Sequence, residues 1–485
     1  MKIITVCFLI FSFGLSSLAQ APQSDRQQFI RVEAPLIALT HVRVIDGTGA
    51  APVEDQTIVI RDGKIQWVGP TADASKASDG AQLIDLKGYT VLPGLVGMHD
   101  HMFFPMGGLP PMYSNMGFSF PRLYLALGVT TIRTTGSVQP YADLEIKKLI
   151  DVGRMIGPKM HITAPYLEGP GSFTPVMHTL TDADDARKMV NFWADQGATS
   201  FKVYMNITRA ELRAAVEEAH KRGLKVTGHL CSIGYREAAE IGIDNLEHGL
   251  LPDSEFVANK QPDKCPGAAV SQSIRNLDIK SDAVQQTIKT LVAKNVAVTS
   301  TLPVFEASAP LASSQAGPTA IGAPNAVLNQ RMLSVMNHEA IVRYVTARSR
   351  IAGNSPQADL VRKSMEFERA FAAAGGLLIA GLDPTGNGGV VAGFGDLREV
   401  ELLVEAGFTP VEAIKIASLN GAKFLGEDSR IGSIAIGKQA DLMIVKGNPA
   451  ATIADLEKVE IVFKDGVGYD SEKLIQSVQG LVGIR

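Results

Sequence analysis

Through its middle the chain alternates short apolar, β-like runs with amphipathic helical runs, and this alternation limits the possible folds more than any other feature. Strand candidates fall at residues 90–98, 128–135, 159–167, 199–205, 225–230, 245–250, 296–304 and 377–382. Between them lie segments such as "TRAELRAAVEEAHKRG", residues 208–223, with Thr208 placed as an N-cap, Glu211 three residues on, and Gly223 where a helix ends. Eight strands alternating with helices over residues 91–429 predict an α/β fold, a (β/α)8 TIM barrel.

The two ends of the chain have another texture. Residues 30–90 and 430–485 carry short β-like runs punctuated by Asp-Gly and Lys-Gly pairs, which predicts hairpins and a small β-sandwich domain assembled from both termini. Residues 307–325, rich in Ala, Ser, Pro and Gly, read as a long loop. The first 19 residues combine one lysine, a short apolar run and Ser17-Leu18-Ala19, the pattern of a cleaved signal peptide. That run is short for a spanning helix, so the expected destination is the periplasm or the medium, with no membrane attachment after cleavage. Beyond it only Cys231 and Cys265 remain, and the sequence leaves their pairing open. A net charge of −4 and no Lys/Arg-rich run argue against a nucleic-acid partner.

In a barrel of this kind chemistry is expected at the C-terminal ends of the strands. His99 and His101 end the first strand, Lys202 lies in the fourth, His229 ends the fifth, His248 the sixth, and Asp383 follows the eighth. Strand alternation turns His99 and His101 the same way and Asp100 the other. Such a pair is either a metal clamp or two core histidines that satisfy each other. Lys202, in the apolar "TSFKVYM", is either half of a buried salt bridge or an amine whose lowered pKa lets it capture CO2 as a carbamate. His229 and His248 are structural or ligands for zinc or a similar ion, and Asp383 is a turn residue or a ligand. The convergence of all six on one rim favours the metal reading. Tyr204 shares the inward face with Lys202; Tyr204, Tyr166, His178 and Arg122 are the candidate substrate contacts.

The pieces "PGLVGMHDH", "SFKVY", "VTGHL", "NLEHG" and "AGLDP", followed by "ELLVEAGFTPVEAIKIASLNGAKFLG" and "GSIAIGKQADLMIVKGNP", resemble the amidohydrolase superfamily. The likeness is to its imidazolonepropionase-related and Xaa-Pro dipeptidase-like branch, and it runs over residues 35–470. It implies two divalent metal ions, zinc being the expected one. His99, His101 and Asp383 would hold the more buried ion, His229 and His248 the more exposed one, with a carboxylated Lys202 bridging both. It further implies hydrolysis of an amide or cyclic amide C–N bond in a small molecule or short peptide, such as a dipeptide or N-acyl amino acid, by metal-activated hydroxide. Asp383 would serve as general base and then general acid. Dipeptidase-like relatives carry Ala-Tyr after the fifth-strand histidine, where this chain has Leu230-Cys231, and Asp383 is followed by Pro384 rather than a small residue. Two other readings remain: a mononuclear deaminase and a non-catalytic binding or scaffold protein. The first would carry Glu three residues after His229, where Ser232 stands, and the second would have lost ligands. Homo-oligomer formation is left open.

Overall fold

The computed structural model describes residues 25–107, 111–172, 176–307, 326–349, 356–386 and 388–483; the expected signal peptide and nearly all of the 307–325 loop lie outside these residues. The central parallel strands are β1 (Leu95–Asp100), β2 (Val129–Thr134), β3 (Lys159–Ile162), β4 (Ser200–Val203), β5 (Lys225–Gly228), β6 (Asn245–Glu247), β7 (Ala297–Ser300) and β8 (Leu378–Ala380). β1, β2 and β3 form one parallel sheet. β4 to β8 pair in sequence order within a second, which Leu167–Glu168 and His178–Thr179 extend at the β4 edge. A bridge between Thr163 and Ser200 links the two sheets. At the other edge, beyond β8, the Asp383 amide donates to the His99 carbonyl at 2.9 Å.

Alternation explains the layering. Phe201, Val226, Leu246 and Val298 are fully buried in the main apolar core. Arg133, Thr227, Asn245, Glu247 and Thr299 instead bond to one another from neighbouring strands, on the face the strands share. The helix expected within 208–223 spans Arg209–Lys221, with both bonds of the Thr208–Glu211 capping box present.

The terminal sheet has nine strands, with Ile30–Val32, Leu36–Val44, Val53–Arg61, Lys64–Pro70, Gln82–Asp85 and Tyr89–Pro93 from one end and Leu442–Lys446, Val459–Lys464 and Val467–Asp470 from the other. The ends meet where Leu442–Lys446 runs antiparallel to Tyr89–Pro93. Ile37, Leu39, Ile58, Val91, Ile444 and Phe463 belong to its own core. Asp62-Gly63 and Asp465-Gly466 all take positive φ, between 48° and 79°, as two-residue hairpin turns require. Strands from both ends of the chain thus share one hydrogen-bonded sheet, where the sequence predicts a sandwich.

The strand expected at 90–98 is two strands, Tyr89–Pro93 in the terminal sheet and β1 in the parallel one. Gly94 makes the transfer. A Cβ there would stand 2.2 Å from Thr130 Oγ1, so only glycine lets the chain pass this close to the start of β2. Cys231 and Cys265 are joined by a disulfide. Among the described residues no helix is long and apolar enough to cross a membrane.

Candidate metal centre

β1 stays extended to Asp100, which keeps His99 and His101 on one face; Asp100 is buried on the other, where burial and the nearby Asp396 push its carboxyl pKa well up. Beyond β6 and β8 the backbone leaves the strand. His248 has φ 71° and Asp383 φ 51°, and these turns bring both side chains toward the β1 histidines. Ligand atoms of His99, His101 and Asp383 all lie within 4.8 Å of one another. Asp383 Oδ2 is 3.6 Å from His99 Nε2, and its Oδ1 is 3.7 Å from His101 Nε2.

The remaining three predicted ligands surround this group. Lys202 Nζ is 3.2 Å from His99 Nε2. The His248 ring centre lies 4.5 Å from that of His99 and 4.5 Å from that of His229. The second ring nitrogens are already engaged: His99 Nδ1 with Glu247 Oε2 at 2.8 Å, His101 Nδ1 with the Gly136 carbonyl at 3.0 Å, and His248 Nδ1 with Thr301 Oγ1 at 2.8 Å. Each of these bonds fixes a ring and leaves its Nε2 for a ligand.

Electrostatics suit the same purpose. Burial, with the Lys202 charge second, holds His99 and His101 well below the usual histidine pKa. Burial and the same lysine bring His229 to about 3. For His248, burial is followed by the neighbouring His229 and His99. All four are therefore neutral imidazoles at physiological pH, the form that binds a metal. Burial also lowers Lys202 to about 8, against the opposing charges of Glu247 and Asp383, so a usable fraction is free amine near neutrality. Burial raises Asp383, while Lys202 and bonds from Thr385 N and Oγ1, at 3.2 and 2.5 Å, restrain the rise. Four neutral imidazoles, one carboxylate and one amine of lowered pKa, converging in a buried pocket of charge, fit divalent zinc-like ions.

Of the four candidate substrate contacts, two are at this centre. The Tyr166 ring is 6.4 Å from that of His101, and the Tyr204 ring is 4.8 Å from that of His229. His178 stands exposed on the outermost short strand with Nε2 2.9 Å from Asp185 Oδ2. Arg122 is a correction: it sits on helix Ser119–Ala126 with its guanidinium 3.9 Å from the Phe118 ring centre and 5.3 Å from that of Phe29. The helix turns that side chain toward the chain's N-terminal segment, where aromatic faces hold it.

Sequence reasoning missed Glu247 and Arg133. Glu247 Oε1 accepts from Arg133 Nη2 at 2.7 Å and from Thr227 Oγ1, while its other oxygen holds His99. Arg133 also donates to the Met98 carbonyl and Asn245 Oδ1. The signal was an acidic residue inside an apolar strand.

Parallel strands with helices between them, and polar residues gathered at their C-terminal ends, give an α/β protein with its site where TIM-barrel proteins carry theirs. The amidohydrolase family model matches residues 90–467, and the chain belongs to that family. An imidazolonepropionase of Paenarthrobacter aurescens is 33% identical over 98 residues, 20% of this chain and 22% of that protein. A 5′-deoxyadenosine deaminase of Methanobrevibacter smithii is 39% identical over 59 residues, 12% of this chain and 14% of its own. The matched stretches thus span about a fifth or less of these curated relatives. Among solved structures, an Xaa-Pro dipeptidase with bound methionine superimposes with TM-score 0.65 at 20% identity, covering 90% of this chain and all (100%) of that one. Molinate hydrolase gives TM-score 0.65 at 18% identity, covering 94% and 98%. Both share the TIM-barrel fold.

Proposed function

We propose that the protein is an exported, binuclear metal-dependent hydrolase that cleaves an amide or cyclic amide C–N bond of a small molecule or short peptide. The observation that carries this is the meeting of all six predicted ligands at one buried rim, with the His99, His101 and Asp383 donor atoms within 4.8 Å of one another. In this reading the parallel strands close as a barrel, His99, His101 and Asp383 hold one ion, and His229 and His248 hold the other. Lys202, once carboxylated by CO2, would add carboxylate oxygens to this donor set. Bound divalent ions of this kind acidify water and polarise a carbonyl oxygen. The chain's own residues do the rest. Asp383 takes a proton from the attacking water and returns it to the departing nitrogen, which its burial-raised pKa favours. Tyr166 and Tyr204 wall the space over Lys202, with its Nζ 5.2 and 5.7 Å from their ring centres, and exclude bulk water.

A mononuclear deaminase finds no support at its own distinguishing position: Ser232 stands there, its hydroxyl donating to the Ile207 carbonyl at 2.5 Å. Export is supported by the N-terminal "MKIITVCFLIFSFGLSSLAQ" and by the Cys231–Cys265 pair, and N-terminal sequencing of the protein from its native host tests it.

The deciding experiment is to reconstitute the protein with zinc and bicarbonate, count metal per chain by elemental analysis, and screen dipeptides, N-acyl amino acids, lactones and hydantoins. Two ions per chain and amide turnover are expected, with Lys202→Ala losing both. A fully active Lys202→Ala variant removes the binuclear mechanism.

A further inference from the structure

Arg343 stands over the rim of this centre, and among the described residues no Asp or Glu is paired with it. It lies on helix His338–Ser349, and its Nη1 donates to the Gly107 carbonyl, just past the strand Phe103–Met106 that runs on from His101. On the other side it touches the loop after Asp383, since a Cβ on Gly388 would stand 2.7 Å from Arg343 Cδ. The guanidinium thus spans the loops that follow two of the ligand-bearing strands.

The residues between it and the metal ligands are aromatic. Tyr113, opposite Pro105 in the hairpin, has its ring 5.1 Å from that of Phe103, and the Phe103 ring is 4.6 Å from that of His101. Tyr113 lies in the field of Asp383 on one side and of Arg343 on the other. Burial lowers the Arg343 pKa, and the group whose charge offsets this is the phenol of Tyr113. Arg343 Nε is shielded from solvent without a hydrogen-bond partner. Among the described residues no Asp or Glu pairs with Arg343. A partly buried guanidinium with an unanswered N–H and no carboxylate beside it among the described residues is a poor structural strut, because a desolvated donor and a desolvated charge both call for a partner. It is a good receptor for a planar anion, which it can grip with two parallel N–H bonds.

We propose that Arg343 anchors a carboxylate of the substrate, one aromatic layer from the bond to be cleaved. This rests on the hydrolase reading above and narrows it to acids such as N-acyl amino acids and dipeptides, in preference to neutral cyclic amides. The aromatic lining of Phe103, Tyr113, Tyr166 and Tyr204 suits an apolar body between the carboxylate and the scissile amide.

Matched probes test it: N-acetyl-L-phenylalanine, N-acetyl-L-leucine and N-acetyl-L-proline, each against its carboxamide. Calorimetric affinity is measured on the zinc-loaded protein, with turnover followed in the same samples. The acids are expected to bind about tenfold to a hundredfold more tightly than the amides, the range of a charge-assisted bond. Arg343→Met should bring the ratio near one, and Arg343→Lys should restore part of it. Equal affinity for acids and amides, or a ratio that survives Arg343→Met, overturns the anchor. A preserved ratio without turnover supports the anchor and removes the hydrolase reading; turnover without a preference does the reverse.

Discussion

Glu247 and Glu368 are both fully buried carboxyl groups beside the same parallel strands, and what surrounds them is opposite. Glu247 ends β6 on the inner face. Burial works against its ionisation, yet Arg133 and Lys202 hold its pKa below the usual range. Glu368, on helix Pro356–Ala373, faces the outer side of β7, where Ser300 and Ser364 donate to it at 2.8 and 3.1 Å. Burial raises it to about 7, with no cation beside it among the described residues, and its neighbour Glu399 is raised well above its ordinary value by burial and by Glu368 itself. The inner face keeps its charges by pairing them. On the outer face burial pushes Glu368 and Glu399 toward the protonated form. Charge is thus retained on the side where metal ions and substrate would use it.

The largest contrast between the faces should appear in catalysis. Asp383→Asn keeps the shape and removes the proton carrier, so kcat should fall by about 10²–10⁴, the usual range for a lost general acid–base group. Glu368→Gln, on the outer face, should leave kcat within about twofold. Steady-state kinetics on whichever amide the screen identifies reads both. A matching loss in Glu368→Gln would mean that the outer carboxyls take part in turnover and that the division between faces is wrong.

A second contrast is in folding. Arg133→Met leaves Glu247 buried and without the cation that bonds it directly, Lys202 being the other nearby charge, and breaking a buried pair in this way costs about 3–5 kcal/mol. Urea unfolding of the metal-free protein measures it. Adding Glu247→Gln to that variant should recover part of the loss, because the unpaired charge goes with it. A single-variant loss below about 1 kcal/mol would show that water or a local shift already compensates Glu247.

These residues also mark how far the sequence could be read. The order of strands and the six rim residues followed from apolar runs and from the types of residue at their ends. Alternation correctly turned His99 and His101 together and Asp100 away, because β1 is extended throughout. The same rule hid Glu247. If His248 faces inward, alternation sends its predecessor outward; but β6 ends at Glu247, and His248 takes φ 71°, so both face the centre. Arg133 was hidden for a related reason: its partners come from β1 and β6, 35 and more than 100 residues distant, and no local pattern encodes that meeting. The split of the first strand at Gly94 likewise depends on Thr130, a contact made only after folding.

The smallest effect gives the most direct test of the outer face. Glu368 has a raised folded pKa, from 4.5 to about 7, so the folded state binds its proton more tightly than the unfolded chain does. Its contribution to stability is fully present below the unfolded value and is lost as pH rises through about 7, since above that point the buried carboxylate must be ionised. At about 1.4 kcal/mol per pKa unit, the loss across this window is roughly 3 kcal/mol at most. Glutamine keeps a donor and an acceptor for Ser300 and Ser364 and does not ionise. The stability of Glu368→Gln relative to the wild type should therefore grow by about 2–3 kcal/mol between pH 5 and pH 8. Denaturant midpoints across that range read the difference. The opposite slope, or none, would mean that Glu368 is already ionised in the folded protein and has a counter-charge, as Glu247 has. The two faces of the strands would then handle buried charge in the same way.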